Sequence, residues 1–271
     1  MITSTSNKQI KRVISLQKKA KARKEENIFV VEGIRMVCEV PKERLMELYI
    51  SESLYLSGMQ EKNRELFEKL NGIHCEIVDD SVFRHMSDTM SPQGILALVK
   101  QSEYTFEDIL KKAFKERSNP CFLVLENIQD PGNLGTILRT SEAAGISGVI
   151  LSQNTVDIYN PKVIRSTMGT VFRVPYVIVS DLEKAVMDMK DKKIRIYAAH
   201  LKGKKNFYEE SYIEPTAFLI GNEGNGLTEQ IADLADCYIK IPMEGKVESL
   251  NASIAASLLV YEAKRQRDSK C

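Results

Sequence analysis

No apolar run in this chain is long enough to cross a membrane, and no signal peptide opens it; the start is polar and basic. None of the five cysteines, Cys38, Cys75, Cys121, Cys237 and Cys271, pairs with another as C-x-x-C. The odd count and irregular spacing argue against a disulfide framework and against a zinc site, and no metal is expected. They point to a reducing, cytoplasmic compartment. Cys121 and Cys237 fall within apolar runs, where a cysteine is usually a small buried hydrophobe. An excess of one charge is missing too, since the net charge is +1. Internal repeats and low-complexity segments are absent.

What is present is an ordinary globular composition over 271 residues, 43% hydrophobic and 28% charged, enough for one large domain or two ordinary ones. The charge is unevenly spread. Lys8, Lys11, Arg12, Lys18, Lys19, Lys21, Arg23 and Lys24 crowd the start, and Lys264, Arg265, Arg267 and Lys270 the end. Basic ends on a neutral chain suit a polyanion, although a solvated helix face gives the same pattern.

Residues 1–26 read as one basic helix with a weak apolar stripe of Ile10, Val13, Ile14 and Leu16. Strand patterns follow at 28–33, 45–51, 75–79 and 93–100, with helices over 59–72 and 80–88. This makes a small α/β domain over 1–100. Residues 101–120, which contain the amphipathic "FEDILKKAF", read as a linker helix. From Cys121 the grammar becomes apolar strands alternating with helices, at 121–127, 148–153, 172–179, 195–201, 217–223 and 237–243. Near-continuous apolar runs predict a parallel sheet covered on both faces. The helices between these strands are expected over 134–144, 161–168, 181–189 and 227–234, with a last one over 250–266.

Ligands of such sheets bind beyond the carboxyl ends of the strands. Three loops there are rich in Gly, Asn and Glu. The first is "NIQDPGNLGTILRT" (127–140). It has neither G-x-G-x-x-G nor G-K-[ST], which excludes the dinucleotide fingerprint and the phosphate loop. Gly132 and Gly135 would let the backbone turn, Asn133 would cap the following helix, and Arg139 would stand less than two turns into it. A positive helix end with an arginine suits an anion or a nucleic-acid phosphate. The second loop is "LIGNEGNGL" (219–227), with Glu223 among glycines that a simple turn does not need. The third is "IPMEGKVESLNASIAASLLVYEA" (241–263), where Ser249 or Asn251 would cap a helix lined with small residues. The stripe Leu250, Ile254, Leu258, Tyr261 suits packing on a helix or a second subunit.

Together, and in this order, the loops resemble the three signature motifs of the SpoU family, ribose 2′-O-methyltransferases acting on tRNA and rRNA. "RSTMGTVFRVP" (165–175) resembles the segment that connects them. The resemblance covers residues 121–266. "VVEG" and "SPQGILALV" resemble the small substrate-binding domain that precedes it in many members, itself similar to RNA-binding ribosomal proteins. The resemblance implies a parallel α/β sheet whose C-terminal part is tied in a trefoil knot, S-adenosylmethionine as cofactor, an RNA substrate, and a homodimer formed through the last helix. It assigns Gly221, Ile241, Leu250, Leu201 and Met243 to the cofactor. It assigns Arg139, Asn133, Glu223, Ser249 and Asn251 to catalysis, and Lys8, Lys11, Arg12 and Lys18, with Arg139, to RNA. The implied reaction is attack of a ribose 2′-hydroxyl on the sulfonium methyl. A guanidinium is a reluctant base, with an ordinary pKa above ~12. Arg139 is therefore expected to stabilise the forming alkoxide and hold the adjacent phosphate, with Glu223 and Asn133 positioning it and Ser249 and Asn251 orienting their loop. Large-subunit rRNA is the expected target, ahead of tRNA. A non-catalytic RNA-binding protein and a base methyltransferase on the same scaffold are the competing readings.

Overall fold

The computed structural model describes residues 1–57, 64–70 and 72–269. Residues 59–63 and Asn71 of the helix expected over 59–72 lie outside the described residues, as do Lys270 and Cys271. The chain forms two compact units, Met1–Ser102 with Tyr159–Phe172, and Glu103–Ile158 with Arg173–Cys271.

The first unit opens with α1 (Lys8–Lys18) and α2 (Ala20–Glu26), then β1 (Ile28–Glu32), α3 (Ile34–Glu39), β2 (Leu45–Ser51), α4 (Glu52–Leu56), α5 (Arg64–Leu70), β3 (Cys75–Val78), α6 (Asp80–Met86) and β4 (Ile95–Lys100). The single basic helix expected over 1–26 is thus divided, with Lys19 extended at the break. Arg23 explains why. It is only 3% exposed, and its guanidinium donates to the carbonyls of Leu16 (2.6 Å) and Gln17 (2.9 Å). Carbonyls left free at the end of α1 are thereby satisfied inside the unit. Ile10, Val13 and Leu16 of α1 pack with Val30, Tyr49, Phe83 and Leu98. The sheet order is β1-β4-β2-β3; β4 runs antiparallel to both neighbours and β3 parallel to β2.

The second unit comprises α7 (Phe106–Glu116), β5 (Cys121–Leu125), α8 (Pro131–Ala144) and β6 (Gly148–Ser152). The chain then joins the first unit for residues 159–172, where α9 (Pro161–Thr167) lies. There the Tyr159 ring sits 4.6 Å from that of Phe29. It resumes in the second unit with β7 (Tyr176–Val179), α10 (Leu182–Asp191), β8 (Arg195–Ala199), β9 (Lys205–Asn206), β10 (Thr216–Ile220), α11 (Glu229–Ala232), β11 (Cys237–Lys240) and α12 (Ala252–Asp268). The segment expected as a linker is no tether. Ile109, Leu110 and Ala113 of α7 are buried in the core of this unit with Phe122, Ile150 and Ile196. Its amphipathic face needed a sheet to cover, and it found this one.

Seven parallel strands run in the order β7-β6-β5-β10-β8-β11-β9. Every residue of β5, β6 and β10 is buried, as their continuous apolar runs predict. Cys121 is buried, and burial pushes its thiol up to about 11; Cys237, expected inside, is only half-buried.

Candidate active site

The loops leaving the carboxyl ends of β5, β8, β10 and β11 gather at one edge of the parallel sheet. The first differs from its expected geometry. Helix α8 begins three residues before Leu134, because Asp130 caps it by accepting from Asn133 N (2.8 Å), with Pro131 at the first turn. Pro has no N–H to lose there and its fixed φ suits helix entry. Asn133 is therefore not the cap but the third helical residue, and it is buried. Gly132 and Gly135 lie inside α8 and turn nothing. Arg139 becomes the ninth residue of α8, about 12 Å along its axis from the start, so it shares no site with the helix N-terminus.

The loop after β10 folds back on itself. Asn222 N donates to Gly226 O (3.0 Å), and Gly226 N to Asn222 O (2.9 Å). Gly221 allows this closure: a Cβ there would lie 2.1 Å from the Gly226 carbonyl carbon and the Leu227 nitrogen. The fold-back turns Glu223 toward the first loop. Its Oε2 accepts from Gln129 N (3.0 Å), and its Oε1 from Asp130 N and Asn133 Nδ2 (both 3.0 Å). Asn251 caps α12, accepting from Ser253 N at 2.9 Å, and donates its Nδ2 to Asn133 Oδ1 at 2.9 Å. The side chains Asn251, Asn133 and Glu223 thus form one hydrogen-bonded chain through all three signature loops. Burial works to raise the pKa of the Glu223 carboxyl, but bonds from Asn133, Gln129 and Asp130 outweigh it and hold the group below the usual carboxylate range. With three donors on it, Glu223 is a fastener in its anionic form, not a base waiting for a proton.

Residues that the sequence reading passed over hold the same loops. Buried Glu126 accepts from Thr228 N (2.9 Å) and Thr228 Oγ1 (2.8 Å), bracing the exit of the Gly221–Gly226 turn. Asn222 Nδ2 donates to Asn127 O at 2.8 Å. Asp130 had a legible signal, since Asp directly before Pro is a helix-start signature. Glu126 had none, because a carboxylate at the end of an apolar strand is ambiguous without its partner.

The loops after β8, β10 and β11 enclose a cleft of about 320 Å³. All five residues expected at a cofactor, Gly221, Ile241, Leu250, Leu201 and Met243, line it, and so do Ser249 and Glu223. His200, Ile239 and Lys240 line it as well and were not foreseen. Leu250, expected to begin the stripe of the last helix, precedes α12 and faces this cleft instead. An apolar slot edged by backbone turns fits a flat heteroaromatic group read by main-chain N–H and C=O. Arg139 belongs to neither the fastener nor the cleft. It is exposed on α8, and among the described residues it has no hydrogen-bond or ion-pair partner. Helix α12 lies beside α8, with Thr140 Oγ1 and Ser257 Oγ 3.1 Å apart.

Of the basic residues expected at RNA, Lys8, Lys11 and Lys18 are exposed. Arg12 is committed elsewhere: its Nε meets Glu26 at 2.6 Å and its Nη1 meets Glu47 at 2.6 Å. The basic C-terminal end is largely internal wiring too. Arg267 donates to the carbonyls of Tyr212, Asn119 and Glu214, and Lys264 pairs with Asp268 at 2.8 Å. Among the described residues no helix is long and apolar enough to cross a membrane, and no cluster of acidic, His and Cys side chains is placed to hold a metal ion.

Two family profiles match successive parts of the chain. The profile of the SpoU rRNA Methylase family matches residues 120–261, and that of the MRM3-like substrate binding domain matches residues 7–97. The chain is 31% identical to an uncharacterised tRNA/rRNA methyltransferase of Synechocystis, covering 98% of this chain and 94% of that one. It is 30% identical to the 23S rRNA (guanosine(2553)-2′-O)-methyltransferase RlmP of Bacillus subtilis, covering 96% and 97%. The solved structure of the SpoU methyltransferase AviRb of Streptomyces viridochromogenes in complex with AdoMet superposes with a TM-score of 0.83 at 26% identity, over 97% of this chain and all of that one. With the three motif loops joined side chain to side chain at the edge of a parallel sheet, and the family profile covering all three over residues 120–261, the chain belongs to the SpoU rRNA methylase family.

Proposed function

We propose that this protein transfers a methyl group from S-adenosylmethionine to a ribose 2′-hydroxyl of large-subunit ribosomal RNA, in the cytoplasm and as a homodimer. The observation that carries the reading is the cleft closed by the Gly221–Gly226 turn beside the Asn251–Asn133–Glu223 fastener. Its apolar walls at Leu201, Ile241 and Leu250 would hold the adenine, and its backbone edges would orient it. When bound, the cofactor supplies an electrophilic methyl on a sulfonium. The ribose oxygen forms the new C–O bond as the C–S bond breaks, and the hydroxyl proton leaves to solvent or to a phosphate oxygen. Arg139, exposed and without a partner among the described residues, would stabilise the developing alkoxide and hold the neighbouring phosphate. Ser249 at the cleft rim would orient the third loop. Exposed Lys8, Lys11 and Lys18 would meet RNA phosphates. The family's trefoil knot is part of the proposal, supported by a strand order that seats β10 between β5 and β8.

The test is methylation of rRNA and tRNA purified from cells lacking the gene, followed by alkaline hydrolysis. A 2′-O-methyl blocks cleavage at its own phosphodiester and a base methyl does not. A protected position in 23S rRNA is the expected result. Labelled but cleavable rRNA would mean base methylation, and protection confined to tRNA would reassign the substrate.

Two further outcomes are expected. Gly221→Ala places a methyl group where the Gly226 backbone already is, so the turn must open. Calorimetric titration should show S-adenosylmethionine affinity reduced at least about tenfold, since misplaced backbone donors lose their hydrogen bonds; affinity within twofold of wild type would mean the closed turn is not the binding form. On α12, Ile254, Leu258 and Tyr261 are exposed in one stripe, which supports a helix-to-helix dimer. Ile254→Asp should give a monomer by light scattering where the wild type gives a dimer, because it buries an unpaired charge in the interface. A dimer that persists would move the interface elsewhere.

A further inference from the structure

Asn127, which opens the first signature loop, stands in the left-handed backbone region, with φ +56°. Residues other than glycine seldom adopt it; asparagine does so more readily than most, because its short amide can bond locally. Here the amide bonds to the neighbouring strand. Asn127 N donates to Ser152 Oγ at 2.8 Å, and Ser152 Oγ donates back to Asn127 Oδ1 at 2.9 Å. Ser152 is the last residue of β6 and is buried. One hydroxyl thus holds both the main chain and the side chain of Asn127.

Held in this way, Asn127 offers its carbonyl to the second loop. The oxygen accepts from Asn222 Nδ2 at 2.8 Å and from Gln129 Nε2 at 3.1 Å. The other end of the Asn222 amide is used as well. Its Oδ1 accepts from Gly224 N (2.8 Å) and Asn225 N (3.1 Å). A flipped amide would set like against like at both ends, so Asn222 has one orientation. It carries the placement of the Asn127 carbonyl to the two N–H groups at the tip of the Gly221–Gly226 turn, and Gly224 and Asn225 line the cofactor cleft. This path shares no side chain with the Asn251–Asn133–Glu223 fastener. We propose that Asn127 is a positioning residue for the cofactor: its left-handed backbone, set by Ser152 and relayed by Asn222, holds the tip of the turn in the form that binds S-adenosylmethionine. The inference rests on the reading of the cleft as the cofactor site.

The test is calorimetric titration of the full chain with S-adenosylmethionine, with amide hydrogen exchange at Gly224 and Asn225 of the free protein as a second readout. Asn127→Ala and Asn127→Gly both remove the side chain, but only alanine resists the left-handed backbone. Asn127→Ala should weaken affinity about tenfold, the order of the left-handed penalty for an L-residue, and speed exchange at both amides. Asn127→Gly should keep affinity within about threefold of wild type. Asn222→Ala should weaken it at least as much as Asn127→Ala, and the double variant no more than Asn222→Ala alone, since both act through one bond. In methylation assays the loss should fall on the S-adenosylmethionine KM, with kcat and the RNA KM within about twofold. Affinity within twofold of wild type in both alanine variants overturns the inference. Equal weakening by Asn127→Ala and Asn127→Gly overturns the role of the backbone conformation, and additive losses overturn the relay through Asn222. A loss of kcat at unchanged KM overturns the cofactor role. If Asn127→Ala does not fold, Asn222→Ala and Asn127→Gly decide. A wild type that binds S-adenosylmethionine yet methylates no RNA overturns the RNA methyltransferase reading alone, and the affinities still decide this one. A wild type that does not bind it overturns both.

Discussion

Arg139→Ala should lower kcat for RNA methylation by about a thousandfold while leaving S-adenosylmethionine affinity within about twofold. The size follows from the charge that must be met. Loss of one donor to a developing oxyanion costs about 10²–10³ in kcat, and a full guanidinium charge lies at the upper end of that range. The selectivity follows from position. Arg139 lies outside the lining of the cleft and bonds to none of Asn133, Glu223 or Asn251, so its removal disturbs neither the pocket nor the fastener. Its side chain is exposed and makes no hydrogen bond among the described residues, so the melting temperature of the variant should match wild type as well. Arg139→Lys should recover only a small part of the rate, because an ammonium keeps the charge and loses the planar fork that grips a phosphate. Single-turnover kinetics with saturating RNA would separate the chemical step from binding. Near-full methylation by Arg139→Ala, with cofactor bound, would remove Arg139 from the catalytic role.

The two units differ in how much of them could be read from sequence. The strands β5, β6 and β10 were legible because a buried parallel strand leaves a continuous apolar run, and the three loops were legible because they follow such runs. Helix α12 was placed within two residues at each end, its Asn251 cap among the candidates named. What escaped were relations between distant residues. Arg23 and Arg12 look like polyanion ligands in a basic run, and only the fold shows one turned inward to two carbonyls and the other clasped by two carboxylates. Helix α7 looks like a linker until the sheet that covers Ile109 and Leu110 is present. In the site, one expected geometry differs from the observed one. Giving the α8 cap to Asn133 instead of Asp130 placed Arg139 almost a turn too near the helix start, and with it the idea that a dipole and an arginine share one anion. The five positions expected at a cofactor come from three separate loops and line a single cleft.

Glu223→Gln should cost about a hundredfold in kcat/KM, although the change is nearly isosteric and Glu223 touches no reacting atom on the fastener reading. Both carboxylate oxygens are used as acceptors: Oε1 by Asp130 N and Asn133 Nδ2, Oε2 by Gln129 N. A glutamine keeps one acceptor, and its amide nitrogen confronts an N–H whichever way it turns. Asn133 cannot relieve this by flipping, since its oxygen already takes the Asn251 amide. One donor losing its acceptor at this partly exposed site costs about 1 kcal/mol, the order of a single net hydrogen bond, which for a chain of this size is a melting shift of roughly 2–4 °C. The larger effect is on rate, because the first and second loops separate and a misplacement of about 1 Å costs about 10² in an oriented reaction. The pH dependence has a definite sign. The folded-state pKa of Glu223 lies below its ordinary value, so the stabilisation is fully present above that ordinary value and disappears as pH falls through the depressed one. Wild type should therefore lose stability on the acid side, below the ordinary carboxylate range near 4.5, with part of that loss absent in Glu223→Gln. Melting curves of both proteins from neutral to acid pH would measure the convergence. Parallel curves would show that Glu223 does not carry its charge into the fold, and the loops would then need another clasp.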